Sequence, residues 1–182
     1  AGFEYVEILN SEAIAKPLNG MRIEAGDGAA PGRWTVRWTG GPADSVNARS
    51  RFVVGGTRVV PAPDRIAALE LQNGPDAVRV VWPDGTSEIV GWGAHDFDEY
   101  HCDAPAADVV SGQSLARWPD DAATGSNAGD FRASEPSPGA ANQRTRDAAL
   151  VRRRTQLVPE QPDPSGSATL TLLLTNLGAA AW

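Results

Sequence analysis

Oxygen-bearing side chains cluster in one stretch of this sequence, where Asp120, Asp121, Thr124, Asn127 and Asp130 follow one another. Carboxylate and amide oxygens are the hard donors that calcium accepts. Their spacing lacks the regular alternation of a calcium hand, and short polar side chains bonding their own backbone account for the same composition. No cofactor is therefore expected, with calcium held by Asp120, Asp121, Asn127 and Asp130 as the alternative. Residues 94–108 gather His95, Asp96, Asp98, Glu99, His101, Cys102, Asp103 and Asp108, the ligand types zinc takes. That spacing fits no paired-ligand signature, and His95 and His101 on an extended chain would stand roughly 20 Å apart. A solvated loop is the default reading.

Residues 33–39 read Arg-Trp-Thr-Val-Arg-Trp-Thr, which on a regular strand places Trp34, Val36 and Trp38 on one face. Trp34, Arg37 and Trp38 are candidate ligand contacts, because indole faces interleaved with arginine stack on sugars or bases. A buried tryptophan face with an arginine face in water explains the pattern equally and is preferred. Gly112-Gln113-Ser114-Leu115-Ala116 approximates a nucleophile elbow. That device requires a helix after the serine and a histidine, whereas Arg117-Trp118-Pro119 follows and the last histidine is His101. With no phosphate-binding glycine loop, dinucleotide fingerprint or zinc-protease helix either, no enzyme is expected.

The elements that must carry these residues are strands. Runs at 3–9, 21–25, 33–39, 51–60, 65–71, 77–82, 87–92 and 113–118 are separated by Asn-Gly, Gly-Asp-Gly, Gly-Gly-Pro, Asn-Gly-Pro-Asp and Pro-Asp-Gly clusters. Such spacing is that of an antiparallel β-sandwich. The clearest hairpin spans 78–90, with Trp82-Pro83-Asp84-Gly85-Thr86 at its turn. Tyr5, Ile8, Ile23, Val53, Leu69, Val78, Val80, Ile89 and Leu115 are the expected core. No amphipathic helix of three turns is present, so the fold class is all-β.

A formal net charge of −7 over 182 residues argues against sequence-independent nucleic-acid binding, which needs a basic face. No apolar run approaches the roughly 20 residues that cross a bilayer as a helix. The single thiol, Cys102, forms no internal disulfide, so the fold must rest on packing. An opening at Ala1, just before a strand and without an initiator Met, fits a processed secreted protein or an excised fragment.

Past Asn142 the composition changes. Residues 144–166 hold Arg144, Arg146, Arg152, Arg153 and Arg154, then Pro159, Pro162 and Pro164, a proline-stiffened linker that extends on the order of 60 Å. Residues 167–182 open on Ser-Ala-Thr-Leu-Thr-Leu-Leu-Leu-Thr-Asn-Leu, an alternating strand with Leu170, Leu172 and Leu174 on one face. An isolated strand of this kind needs a partner for its backbone and its apolar face. Adding to a sheet edge of another copy would give a head-to-tail contact able to propagate into a filament.

Three regions together carry a family resemblance. Ser114-Leu115-Ala116-Arg117, Pro119-Asp120, the loop bearing Thr124 and Asn127, Asp130-Phe131 and Pro138-Gly139-Ala140-Ala141-Asn142 stand in the order of the closing stretch of the bacterial lamin tail domain. The run 3–10 resembles that family's first strand and 18–23 its second, while 71–80 and Val90-Gly91-Trp92-Gly93 resemble its central hairpin and a later strand. The segment 167–177 resembles the first strand of immunoglobulin-like adhesion modules in bacterial surface proteins. These likenesses imply an immunoglobulin-like sandwich over 1–143, a linker over 144–166 and a further strand over 167–182. They also imply a secreted or cell-surface location and a non-catalytic structural or adhesion role, with the chain itself or neighbouring protein domains as partners. A carbohydrate- or protein-binding accessory module of a larger extracellular enzyme is the alternative.

Overall fold

Turn clusters cut the described chain into short strands that pair mostly antiparallel. The computed structural model describes residues 2–30, 32–72, 74–94, 97–121 and 123–142. In chain order the strands are β1 (Tyr5–Asn10), β2 (Lys16–Pro17), β3 (Arg22–Asp27), β4 (Trp34–Thr39), β5 (Ser45–Val46) and β6 (Ser50–Gly55). They continue as β7 (Arg65–Ile66), β8 (Asp76–Val81), β9 (Ser87–Trp92), β10 (Ser114–Arg117) and β11 (Phe131–Ser134). One sheet has the order β1-β6-β7 and the other β4-β3-β8-β9, with β2-β5 and β10-β11 as separate pairs. Only β7 runs parallel to its neighbour in these sheets. The architecture is an all-β sandwich. A single helical turn, α1 (Asn127–Asp130), interrupts it and is capped by Ser126, whose side chain accepts from the Gly129 N–H.

Ile8 of β1 and Phe52 and Val54 of β6 meet Ile23 of β3 between the sheets, joined by Leu18, Met21, Val46 and Leu69. Fully burying each such aliphatic side chain contributes about 1.5–3 kcal/mol against the entropy of ordering the chain. Of the expected core, Ile8, Ile23, Val53 and Leu69 are buried. Tyr5, Val78, Val80, Ile89 and Leu115 are only half-buried, and this incomplete closure bears on the site below. The β8–β9 turn forms as its Pro-Asp-Gly predicts: Trp82 donates to the Thr86 carbonyl (2.8 Å) and Gly85 to that of Trp82 (2.9 Å).

Two expectations are corrected. Trp34, Val36 and Trp38 do not share a face, because Arg37 is an extra residue in β4: Ile23 pairs with Trp38, but the next residue, Glu24, pairs with Val36. A bulge of this kind resets the two-residue alternation. Trp38 consequently turns inward to Phe52 (ring centroids 5.8 Å), while Trp34 turns outward beneath the Arg79 guanidinium (4.2 Å to the ring centroid).

Residues 97–108, expected as part of a solvated loop, keep Asp98, Glu99, Asp103 and Asp108 exposed, but they also press one anchor onto the outer face of the four-stranded sheet. Tyr100, in the short 3-10 turn Asp98–Tyr100, has no exposed surface. Its ring packs edge-on against Trp34 at 4.8 Å, and its hydroxyl donates to the Arg33 carbonyl (3.1 Å) and accepts from the Arg33 N–H (3.3 Å). The approach is possible because Gly26 and Gly91 line the contact: a Cβ on Gly26 would stand 3.0 Å from the Tyr100 ring, and one on Gly91 only 2.1 Å from its carbonyl oxygen.

Candidate functional site

The half-buried residues of β8 and β9 have a common cause. Val78, Val80, Trp82 and Val90 look into a cleft of about 740 Å³ that also runs along β1 and under Leu115 and Phe131 of the β10–β11 pair. Its wall is therefore the open side of the sandwich, where β1 ends one sheet and β9 the other.

The two bordering edges differ in what their backbones offer. On β9 the outward groups at Ile89–Gly91 are partly occupied: Asn127 accepts from the Gly91 N–H (3.0 Å) and donates to the Ile89 carbonyl (3.0 Å), so one side chain copies part of a neighbouring strand. On β1 the register settles the matter. Gly56 and Arg58 donate to the Glu4 and Gly2 carbonyls, which with Tyr5 opposite Gly55 assigns the even-numbered residues to the β6 ladder. Antiparallel pairing alternates bonded and non-bonded pairs. The N–H and C=O of Tyr5, Glu7 and Leu9 thus point away from β6, along the cleft.

Residues 137–142 lie against this strand through side chains, without forming a ladder. The Ser137 N–H donates to the Tyr5 hydroxyl (3.3 Å) and the Gly139 N–H to Glu7 Oε2 (2.6 Å). Arg51 pairs with Glu7 (3.0 Å) and with Asp120, and Asp120 Oδ1 accepts from the Asn142 N–H (3.1 Å). Burial pushes the Glu7 carboxyl above the usual range, against the lowering by the Gly139 N–H and Arg51; nearby Asp120 adds to the rise.

Asp120, Asp121, Asn127 and Asp130 all line the cleft, but three of them are occupied by protein partners. Asp120 serves Arg51 and Asn142 as above. Asn127 also accepts from the Cys102 N–H (3.1 Å). Asp130 takes the Thr124 hydroxyl (2.7 Å) and N–H (3.0 Å) and pairs with Arg117 (3.1 Å). Those bonds, that of the Thr124 hydroxyl foremost, hold its carboxyl below the usual range. Asp121 is exposed. Among the described residues no group of three or more His, Cys, Asp or Glu side chains is arranged to hold a metal. His95 and Asp96 lie outside the described residues.

Trp34, Arg37 and Trp38 are not brought together on a stacking surface, since the indoles occupy opposite faces and Arg37 pairs with Glu70. Trp34 belongs instead to a polar cluster on the outer face. Glu24 is buried there between Arg22 (2.8 Å) and Arg79 (2.6 Å). Burial alone would raise its pKa, but the hydrogen bonds from the two arginines prevail and lower it from 4.5. A carboxylate with a depressed folded pKa stabilises the fold above its unfolded value and loses that contribution as pH falls through the folded one. Urea midpoints of the wild type are expected to drop below pH 4.5; Glu24→Gln is expected to be less stable at neutral pH and to show a flatter acid limb. An acid limb unchanged by the substitution would overturn this.

Leu170, Leu172 and Leu174 lie outside the described residues. The cleft and the β1 edge went unnoticed in the sequence, whose only hint was that the run 3–9 carries Glu4, Tyr5 and Glu7 beside its apolar residues. The described residues thus form a β-sandwich with an open side. Compared with known families, characterised proteins and solved structures, the chain matches none of them.

Proposed function

We propose that the chain is a non-catalytic assembly or adhesion module of lamin-tail type, an immunoglobulin-like sandwich carried by a secreted or cell-surface protein. It polymerises head-to-tail by accepting the strand 167–177 of another copy at the edge of β1. The observation that carries this reading is the outward backbone of Tyr5, Glu7 and Leu9 beside an apolar cleft. An added strand gains ladder hydrogen bonds from such an edge and lodges alternate side chains, here Leu170, Leu172 and Leu174, in the groove. On the four-stranded sheet β9 is partly capped by Asn127 and β4 is bulged at Arg37, two devices that discourage edge pairing, and β7, the far edge of the other sheet, is only two residues long.

The cleft volume also falls within the ~300–1,000 Å³ of small-ligand sites, which favours a ligand-binding accessory module as the second reading. Proline at position 9 separates them. It removes an N–H that β6 does not use, a substitution edge strands tolerate. Light scattering of the full chain is expected to show concentration-dependent assembly, lost in Leu9→Pro and kept in Leu9→Ala, with unchanged circular dichroism. A full chain that stays monomeric, or a Leu9→Pro variant that still assembles, would remove the assembly reading.

A further inference from the structure

We infer that the cleft selects a cationic partner, and that this partner is the arginine block 144–154 of the copy whose strand it receives; the inference rests on the assembly reading above.

The first support is the charge of the cleft wall. Glu4, Glu7, Glu88 and Asp108 line it from the sandwich, and Asp120, Asp121 and Asp130 from the loop, while the only cations among the described lining residues are Arg51 and Arg117. Each arginine already serves two carboxylates: Arg51 pairs with Glu7 and Asp120, and Arg117 with Glu88 and Asp130. A surplus of negative charge therefore remains beside a groove whose floor is apolar.

The second support is how charge is divided along the chain. Residues 1–142 carry eleven Lys and Arg against twenty Asp and Glu, whereas 144–154 carry five Arg and only Asp147. Opposite signs on donor and acceptor steer encounter and set register, and like charges brought together cost several kcal/mol.

Geometry supplies the third. A strand seated on β1 leaves its own preceding linker within reach of the same rim, since Arg154 stands thirteen residues before Ser167, on the order of 40 Å when extended. The apolar strand supplies ladder and groove contacts; the arginines choose the partner. Basic residues on the donor and acidic ones on the acceptor also give the contact a direction, which a head-to-tail chain requires.

The test uses the full chain in two charge-reversed forms. One carries Asp108→Lys and Asp121→Lys, both at exposed positions; the other carries Arg152→Glu, Arg153→Glu and Arg154→Glu. Sedimentation velocity is expected to show association weakened at least about tenfold in each alone, and restored when the two proteins are mixed. Wild-type association is also expected to weaken steeply as added salt shortens the screening length from about 10 Å toward 3 Å. Association insensitive to both reversals would overturn the inference while leaving strand donation standing. Recovery only when all five changes share one chain, and not on mixing, would overturn it too, by showing that a copy's own arginines occupy its rim. A wild-type chain that never associates would sink the assembly reading itself, a result distinct from either.

Discussion

Replacing Tyr100 with alanine is expected to cost about 3–5 kcal/mol, the range for truncating a large buried aromatic side chain. The ring is fully buried against Gly26, Trp34 and Phe97. A glycine that makes room for it cannot close the space it would leave. Tyr100→Phe keeps the packing and loses only the hydroxyl bonds to Arg33 and Ala30, so about 1 kcal/mol is expected. Urea denaturation at neutral pH measures both. Equal losses in the two variants would mean that the hydroxyl, and not the ring, holds residues 94–108 on the sheet, and a loss under about 0.5 kcal/mol in Tyr100→Ala would place the side chain among exposed ones.

Asn127→Ala is expected to cost about 2–4 kcal/mol, because three backbone groups, the buried one of Gly91 and the partly buried ones of Ile89 and Cys102, lose their partner together and a buried orphan costs about 1–3 kcal/mol. It also uncovers the edge of β9. Beyond the shift in urea midpoint, the variant is expected to aggregate at concentrations where a comparably destabilised Tyr100→Ala does not. Equal aggregation of the two would show that the side chain only ties the loop down and gives the edge no protection.

Strand positions were readable wherever a half-buried strand imposed alternation. The alternating run 87–92 coincides with β9, and the runs that match β1, β3, β8 and β10 lie within two residues of each strand's ends. The run 51–60 extends beyond β6, which ends at Gly55, because Val59 and Val60 continue its apolar character past the two glycines. Residues 65–71 form ladder bonds only at Arg65–Ile66, and Leu69 is buried from coil. The short strands β2 and β5 leave no period to detect.

Arg37 is instructive in another way. Alternation from Trp34 to Trp38 is unbroken in sequence, while the bulge that divides it exists only in the pairing with β3. Tyr100 is hidden by its neighbours, since an aromatic among Asp98, Glu99 and Asp103 looks like part of a wet loop until the sheet surface beneath it is known. For the loop 120–130, local bonding of polar side chains was readable and is what the structure contains. The use of Asn127 as a substitute strand was not, because its partners lie 25–38 residues away in sequence.

The attachment of residues 137–142 to β1 has a mechanical meaning. The incoming strand and the outgoing segment are joined by Tyr5 to Ser137 and Glu7 to Gly139, and Asn142 is tied to Asp120 and to the Arg117 carbonyl, so tension applied at residues 2 and 142 loads these few contacts before it reaches the buried centre. Hydrogen bonds to side chains at one edge peel in succession, whereas a ladder sheared along its length yields all at once. A string of such modules would therefore lengthen in small steps under modest pull, each by the slack of residues 137–142, with the sandwich itself kept intact as the last reserve of extension.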